Sequence, residues 1–185
     1  YYSFSSSPDG NQEAIVDFKN NLGVGLTLNG DEYGKTEITA YRVWYNINGN
    51  PQKIAYLNNF SSPRSDAKGF FGKRFNYDKQ SFVTEIDSLG IDLNPKYNFG
   101  GISKALYTRD DIGNILIESF FERSDTKALK ENSYHSIVGR YDRWGNSIEK
   151  SYFGIDGNPV SGTKGWSKNT ICLLYTSPSP RDRQK

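Results

Sequence analysis

The stretch YDRWGNSIEKSYFGIDGNP, Tyr141 to Pro159, decides how the rest of the chain is read. It reads as an aromatic strand, a Gly-Asn turn, a second strand ending in Tyr152-Phe153, and a second turn closed by Pro159. Shifted by 32 residues, the chain overlays itself without gaps. Tyr141 falls on Arg109, Tyr77 and Tyr45; Gly145 falls on Gly113, Ser81 and Gly49; Pro159 falls on Lys127, Pro95 and Pro63. At twice that shift, GIDLNP (Gly90 to Pro95) meets GIDGNP (Gly154 to Pro159). A fixed period of this size governs architecture before any local element does.

Working outward, the period marks units at 37–68, 69–100, 101–132 and 133–164, with the start of a fifth at 165–171. Residues 1–36 are less regular and read either as a degenerate repeat, through Asp9-Gly10-Asn11 and Gln12 to Phe18, or as the end of a preceding domain. Each unit opens on a strand of period two, as in Tyr41, Val43, Tyr45 and Lys73, Phe75, Tyr77, which predicts one better-buried face. A tight turn follows, carrying Gly49 and Asn50, Gly113 and Asn114, or Gly145 and Asn146. Glycine belongs there because a bulged hairpin turn takes positive φ. After the second strand, Pro63, Pro95 or Pro159 removes a backbone donor and is expected to end pairing. The prediction is all-β: tandem 32-residue hairpin repeats forming an elongated twisted antiparallel sheet or a solenoid-like array. Two units depart from the pattern. Ser81-Phe82 replaces Gly-Asn, so that turn is expected to be reshaped, and Asp125 to Asn132 replaces the proline loop with a stretch able to make one helical turn.

Composition agrees with a thin β protein. Hydrophobic residues make up only 35%, but 13 Tyr and 11 Phe supply large buried area with polar tips. No run is long and apolar enough to span a bilayer as a helix. There is no Met, even at position 1, so the chain reads as an internal fragment. The segment 172–185 breaks the repeat, and Cys172 to Asp182 (CLLYTSPSPRD) looks like a translated sequencing-library adaptor. Setting aside Arg181, Arg183, Lys185 and Asp182 takes 23 basic and 21 acidic residues to 20 of each. That balance argues against nucleic acid or anionic lipid as a partner. The sole Cys lies in the same tail, leaving no thiol chemistry elsewhere.

Candidate chemistry is sparse. Asp78, Asp110 and Asp142 follow the strand aromatic and suit turn formation, since Asp four residues before the end of a turn accepts backbone N–H bonds. Glu85, Glu118 and Glu149 sit on second strands and suit cross-strand pairing. Asn46, Asn48 and Asn50, or Asp156 and Asn158, bring hard oxygens together but lack the acidic alternation of a calcium loop. His135, the only His, reads as a surface strand residue. Asn59-Phe60-Ser61 is a glycosylation sequon. No catalytic set, cofactor motif or metal site is predicted. Trp44, Trp144 and Trp166 are the candidate ligand contacts, because exposed rings along a sheet stack on sugars or grip a protein partner.

Through Tyr141-Asp142, Gly145-Asn146, Tyr152-Phe153 and Gly157, the unit resembles the aromatic/Asp-Gly hairpin repeats of bacterial surface and secreted proteins. These include YD repeats of RHS-type toxin shells and, more loosely, MORN-type repeats. The resemblance implies hairpins strung into a long sheet or shell, outside the cell or on its surface, and carries over no catalytic residue. The expected function is a non-catalytic scaffold or binding module facing a protein or glycan surface. The alternatives are a shell or spacer of a larger toxin or enzyme, and a carbohydrate-binding module.

Overall fold

The computed structural model describes residues 2–6, 12–18, 29–30, 34–35, 37–96, 101–123 and 126–171. The adaptor-like tail lies outside them, as does much of 1–36. The described chain is all-β and contains no helix. Its strands are β1 (Tyr2–Ser6), β2 (Gln12–Asp17), β3 (Asn29–Gly30), β4 (Gly34–Lys35), β5 (Ala40–Tyr45), β6 (Pro51–Leu57), β7 (Gly72–Tyr77), β8 (Val83–Leu89), β9 (Lys104–Arg109), β10 (Ile115–Arg123), β11 (Thr126–Lys127), β12 (Ser136–Tyr141), β13 (Ser147–Phe153) and β14 (Lys168–Thr170). β3 and β4 pair only with each other, and β11 pairs with β10. The rest form one open antiparallel sheet in which β2 neighbours β5 and the later strands follow in chain order.

Two kinds of seam alternate across this sheet. Within a hairpin the ladder is long: Ala40 to Trp44 pairs with Leu57 to Lys53, and Gly72 to Asn76 pairs with Leu89 to Glu85. Each such ladder slips at a bulge beside the turn, between Trp44 and Tyr45, Asn76 and Tyr77, Ile115 and Ile117, and Arg140 and Tyr141. Between β2 and β5 the ladder is long, Gln12 to Asp17 against Tyr45 to Ala40, but between the later hairpins it is short. β6 meets β7 only over Lys53 to Ala55, β8 meets β9 only over Glu85 to Asp87, and β10 meets β12 only over Ile117 to Ser119.

Burial follows position along the strand more than face, which differs from the simple alternation expected. Ala55, Tyr56, Leu57 and Asn58 are buried in succession, because the return segment after each hairpin folds over that end of the sheet. Pro63, Pro95 and Pro159 take part in that folding instead of ending all pairing. They bridge Leu57, Leu89 and Phe153, respectively. Asn58 N–H bonds Ser62 carbonyl and Arg64 N–H bonds Tyr56 carbonyl, both at 2.9 Å, so the proline between them occupies a place that needs no donor. Lys127 makes the same pairing with Phe121 as part of β11. The core is therefore a stripe along the return-loop side: Ile38, Ala40, Tyr56, Leu57, Phe70, Leu89, Phe120 and Tyr134.

Two local expectations are corrected. Ser81 takes φ 67 and the turn keeps the bonding of its glycine counterparts: Asp78 N–H to Phe82 carbonyl at 3.0 Å and Ser81 N–H to Asp78 carbonyl at 3.2 Å. A small polar residue tolerates the left-handed region well enough to leave the shape unchanged. Among the described residues of Asp125 to Asn132, no helical turn forms. Glu131 and Asn132 have φ 53 and 54, a left-handed pair that reverses the chain between Lys130 and Tyr134.

Candidate binding surface

The repeated acidic and amide side chains are occupied by the turns. Asp142 Oδ1 accepts Trp144 N–H and Asn146 N–H at 2.9 Å each, while its other oxygen accepts the Asn146 amide at 3.0 Å. Asp110 holds Ile112, Asn114 and the Asn114 amide in the same way. Asp78 holds Gln80 and Phe82, and Asn46 holds Asn48 and Asn50. Gly49, Gly113 and Gly145 sit at φ 78, 94 and 83 in these loops. Burial acts first on Asp110 and opposes its ionisation, but the bonds from Asn114 and the neighbouring backbone donors leave its pKa below the usual carboxylate value. Asp156 is also lowered, by the Asn158 backbone bond first and the Asn158 side chain next. Carboxylates held this way are poor proton donors near neutrality. Among the described residues no cluster of three or more His, Cys, Asp or Glu is arranged to hold a metal ion.

The three tryptophans do not come together. Trp144 stands 58% exposed on the turn joining β12 to β13, with the Arg143 guanidinium 3.9 Å from its ring centre. Trp44 lies on β5, with the Lys53 ammonium 4.6 Å from its ring centre. Trp166 is half-buried on the opposite, return-loop side, its ring 6.2 Å from Tyr152. Strands β6 to β10 separate Trp44 from the Trp144 hairpin. His135 is not on the surface as expected but 6% exposed, its ring edge-on to Phe121 at 5.2 Å and its Nδ1 3.3 Å from Ala128 carbonyl. It follows the return turn, where the strand enters the covered end of the sheet.

A polar network marks the middle of one face. Arg74 reaches Asp87 Oδ2 through Nε at 3.1 Å and Nη2 at 2.7 Å. Lys104 Nζ lies 2.5 Å from Glu85 and 3.9 Å from Asp87. The Asn76 amide also bonds Glu85, at 3.2 Å.

On the other face an aromatic column runs along the covered edge. Phe18 meets Tyr41 at 4.8 Å and Tyr41 meets Tyr56 at 5.5 Å. Farther on, Phe120, Tyr134, Tyr152 and Trp166 follow one another at 6.0, 4.9 and 6.2 Å. The Tyr134 phenol is pushed up to about 12, by burial first and then by the negative charge of Glu131, so it stays protonated at neutral pH. Between these two runs, Ser88 occupies the place that Tyr56, Phe120 and Tyr152 hold 32 or 64 positions away. A cavity of about 470 Å³ opens there, bordered by Phe70, Lys73, Ser88, Tyr107, Glu118 and Phe120 among other described residues.

No protein-family model matches the chain, and no curated protein matches it. The cavity was not singled out in the sequence, although its signal was present: one small residue in a column otherwise filled by rings. The turn carboxylates drew attention instead because they recur visibly.

Proposed function

We propose that the chain is a tandem array of 32-residue hairpins serving as a non-catalytic scaffold or binding module of an exported bacterial protein. The observation that carries this reading is a side-chain clasp at three short seams, β6–β7, β8–β9 and β10–β12. Tyr77 Oη donates to Pro51 carbonyl at 2.6 Å, Arg109 Nε to Val83 carbonyl at 3.0 Å, and Tyr141 Oη to Ile115 carbonyl at 3.0 Å. Donor and acceptor fall at the same offsets in successive hairpins. Each clasp extends a ladder that the backbone alone ends early. Arg109, which breaks the tyrosine pattern, performs the same task and adds a 2.7 Å bond to Gly113 carbonyl. The turn carboxylates are spent on backbone donors, so they support shape and not proton transfer. The export part of the proposal rests on the likeness to secreted hairpin repeats.

Interfaces of this kind make stability a sum over neighbours. Excising 69–100 is therefore expected to leave a shorter, folded β protein, because it rejoins two hairpins through an equivalent seam. Far-ultraviolet circular dichroism and urea unfolding check this, and a deletion variant without cooperative unfolding would overturn the array. Tyr141→Phe tests the clasp itself. It is expected to cost about 1 kcal/mol and to speed amide exchange at the β10–β12 seam while leaving β5–β6 unchanged. Uniform acceleration across the sheet would count against modular seams.

A further inference from the structure

We propose that Asn76, Glu85 and Lys104 form a site for a self-catalysed amide bond between the Lys104 and Asn76 side chains, tying β7 to β9. Asn76 and Glu85 stand opposite one another in the β7–β8 ladder, and Lys104 enters on β9 opposite Asp87. The two oxygens of one carboxylate hold both reacting groups. Glu85 Oε1 lies 2.5 Å from Lys104 Nζ, and Oε2 accepts the Asn76 amide at 3.2 Å. Lys104 and Glu85 keep only 21% and 22% of their side chains in water. The lysine stem is a flexible four-carbon chain, so Nζ can move from the carboxylate toward the amide carbon while the strands stay in place.

A comparison within the sheet shows what is particular to this place. Arg140, Glu149 and Lys168, each 64 positions on, repeat the arrangement across β12, β13 and β14. Lys168 Nζ is 2.8 Å and Arg140 Nη1 3.9 Å from Glu149. There the carboxylate sits between two cations, and no acyl carbon is present to react. Asn76 puts a neutral acyl group in the place of Arg140, beside a lysine that the same carboxylate holds.

The step balances without an outside reagent. Lys104 gives up one proton to water, and its free amine attacks Asn76 Cγ. Glu85 takes a second proton from the nitrogen as the C–N bond forms. It passes that proton to the departing Nδ2, which leaves as ammonia, and one secondary amide remains. Holding both groups on one carboxylate supplies the proximity that separate side chains lack, and Glu85 serves as base and then acid. Asp87, 3.9 Å from Lys104, joins Glu85 in favouring the ammonium form, while Arg74 on β7 offsets part of the Asp87 charge. Phe121, opposite Lys104 on β10, brings no charge. The reaction is therefore slow near neutrality and quickens as pH rises toward the lysine range.

The test uses the full chain, freshly purified at neutral pH and then held at about pH 9. Its mass is expected to fall by that of one ammonia. Trypsin is then expected to release a branched peptide joining the segments around Asn76 and Lys104. The thermal midpoint is expected to rise with the extent of reaction, because a cross-link restricts the unfolded chain. Asn76→Ser and Lys104→Arg are expected to form no branched peptide, and Glu85→Gln to form it far more slowly. An unchanged wild-type mass, ammonia loss without that branched peptide, or an undiminished rate in Glu85→Gln would each overturn the site. The wild-type mass and digest decide the matter even where a variant does not fold. None of these outcomes bears on whether the chain folds without 69–100, so the two proposals fail separately.

Discussion

Gly72→Ala is expected to lower stability by about 3 kcal/mol, the upper part of the usual cost of overpacking. A β-carbon at position 72 would lie 2.1 Å from Ile54 carbonyl oxygen and 3.2 Å from Ala55 Cα. Both are backbone atoms, so no side chain can swing aside to relieve the clash. The strain falls on β6 and β7 where they are joined only over Lys53 to Ala55, and Gly72 is itself the partner of Ala55. Relief therefore means opening the seam, which exposes the Tyr56 and Leu57 end of the core. Gly49→Ala is the control. Its added carbon meets nothing within 4 Å, and the cost is that of φ 78 for a residue with a side chain, about 1–2 kcal/mol. Urea unfolding of both variants checks the order. If Gly49→Ala proves the more damaging, the close approach at Gly72 is not a determinant of the seam.

The same position shows how far the sequence could be read. The all-β antiparallel character was legible, because aromatic strands, glycine turns and proline loops stand out along the chain. The 32-residue overlay puts Ala40, Lys104 and Ser136 opposite Gly72, which would make an added methyl group look harmless. What decides Gly72 is the local approach of a neighbouring strand, and no overlay contains that distance. Ser81 shows the converse error: a missing glycine suggested a new turn, yet Asp78 supplies enough bonds to hold the old one. Arg109 departs from the tyrosine pattern in sequence, yet its guanidinium bonds the carbonyl at the offset where a tyrosine hydroxyl bonds elsewhere. His135, a sole His without partners for a site, reads in sequence as a surface strand residue, whereas burial at that point is set by the return segment folding over the strand. The cavity needed a comparison down one column of side chains, and in sequence that column is a single serine.

Asp87→Ala is expected to cost about 3 kcal/mol, the low end for removing one partner of a buried ion pair. Asp87 is 3% exposed, while Arg74 keeps 41% of its side chain in water, and that access limits the penalty. Without Asp87, the Arg74 guanidinium loses two bonds and Lys104 loses its 3.9 Å contact to that carboxylate while keeping Glu85. The pair is not required by the fold, however. At the same cross-strand position β9 and β10 place Leu106 beside Ser119, and β12 and β13 place Val138 beside Ser151. Arg74→Leu combined with Asp87→Ser should therefore recover most of the loss, as replacing a whole ion pair by well-packed neutral groups often does. Acid gives a second reading of the same network. Burial raises the Glu85 pKa, but bonds from Lys104 and Asn76 and the charges of Lys104 and Arg74 outweigh it, so the folded value lies below the ordinary one. A lowered carboxylate stabilises the folded state above its unfolded pKa, and that contribution disappears as pH falls through the folded value. Stability of the wild type should accordingly fall as pH drops below about 4.3, and Glu85→Gln should flatten that part of the profile. An Asp87→Ala variant as stable as wild type, or a Leu/Ser double variant no better than Asp87→Ala alone, would show that the network is not what ties β7, β8 and β9 together.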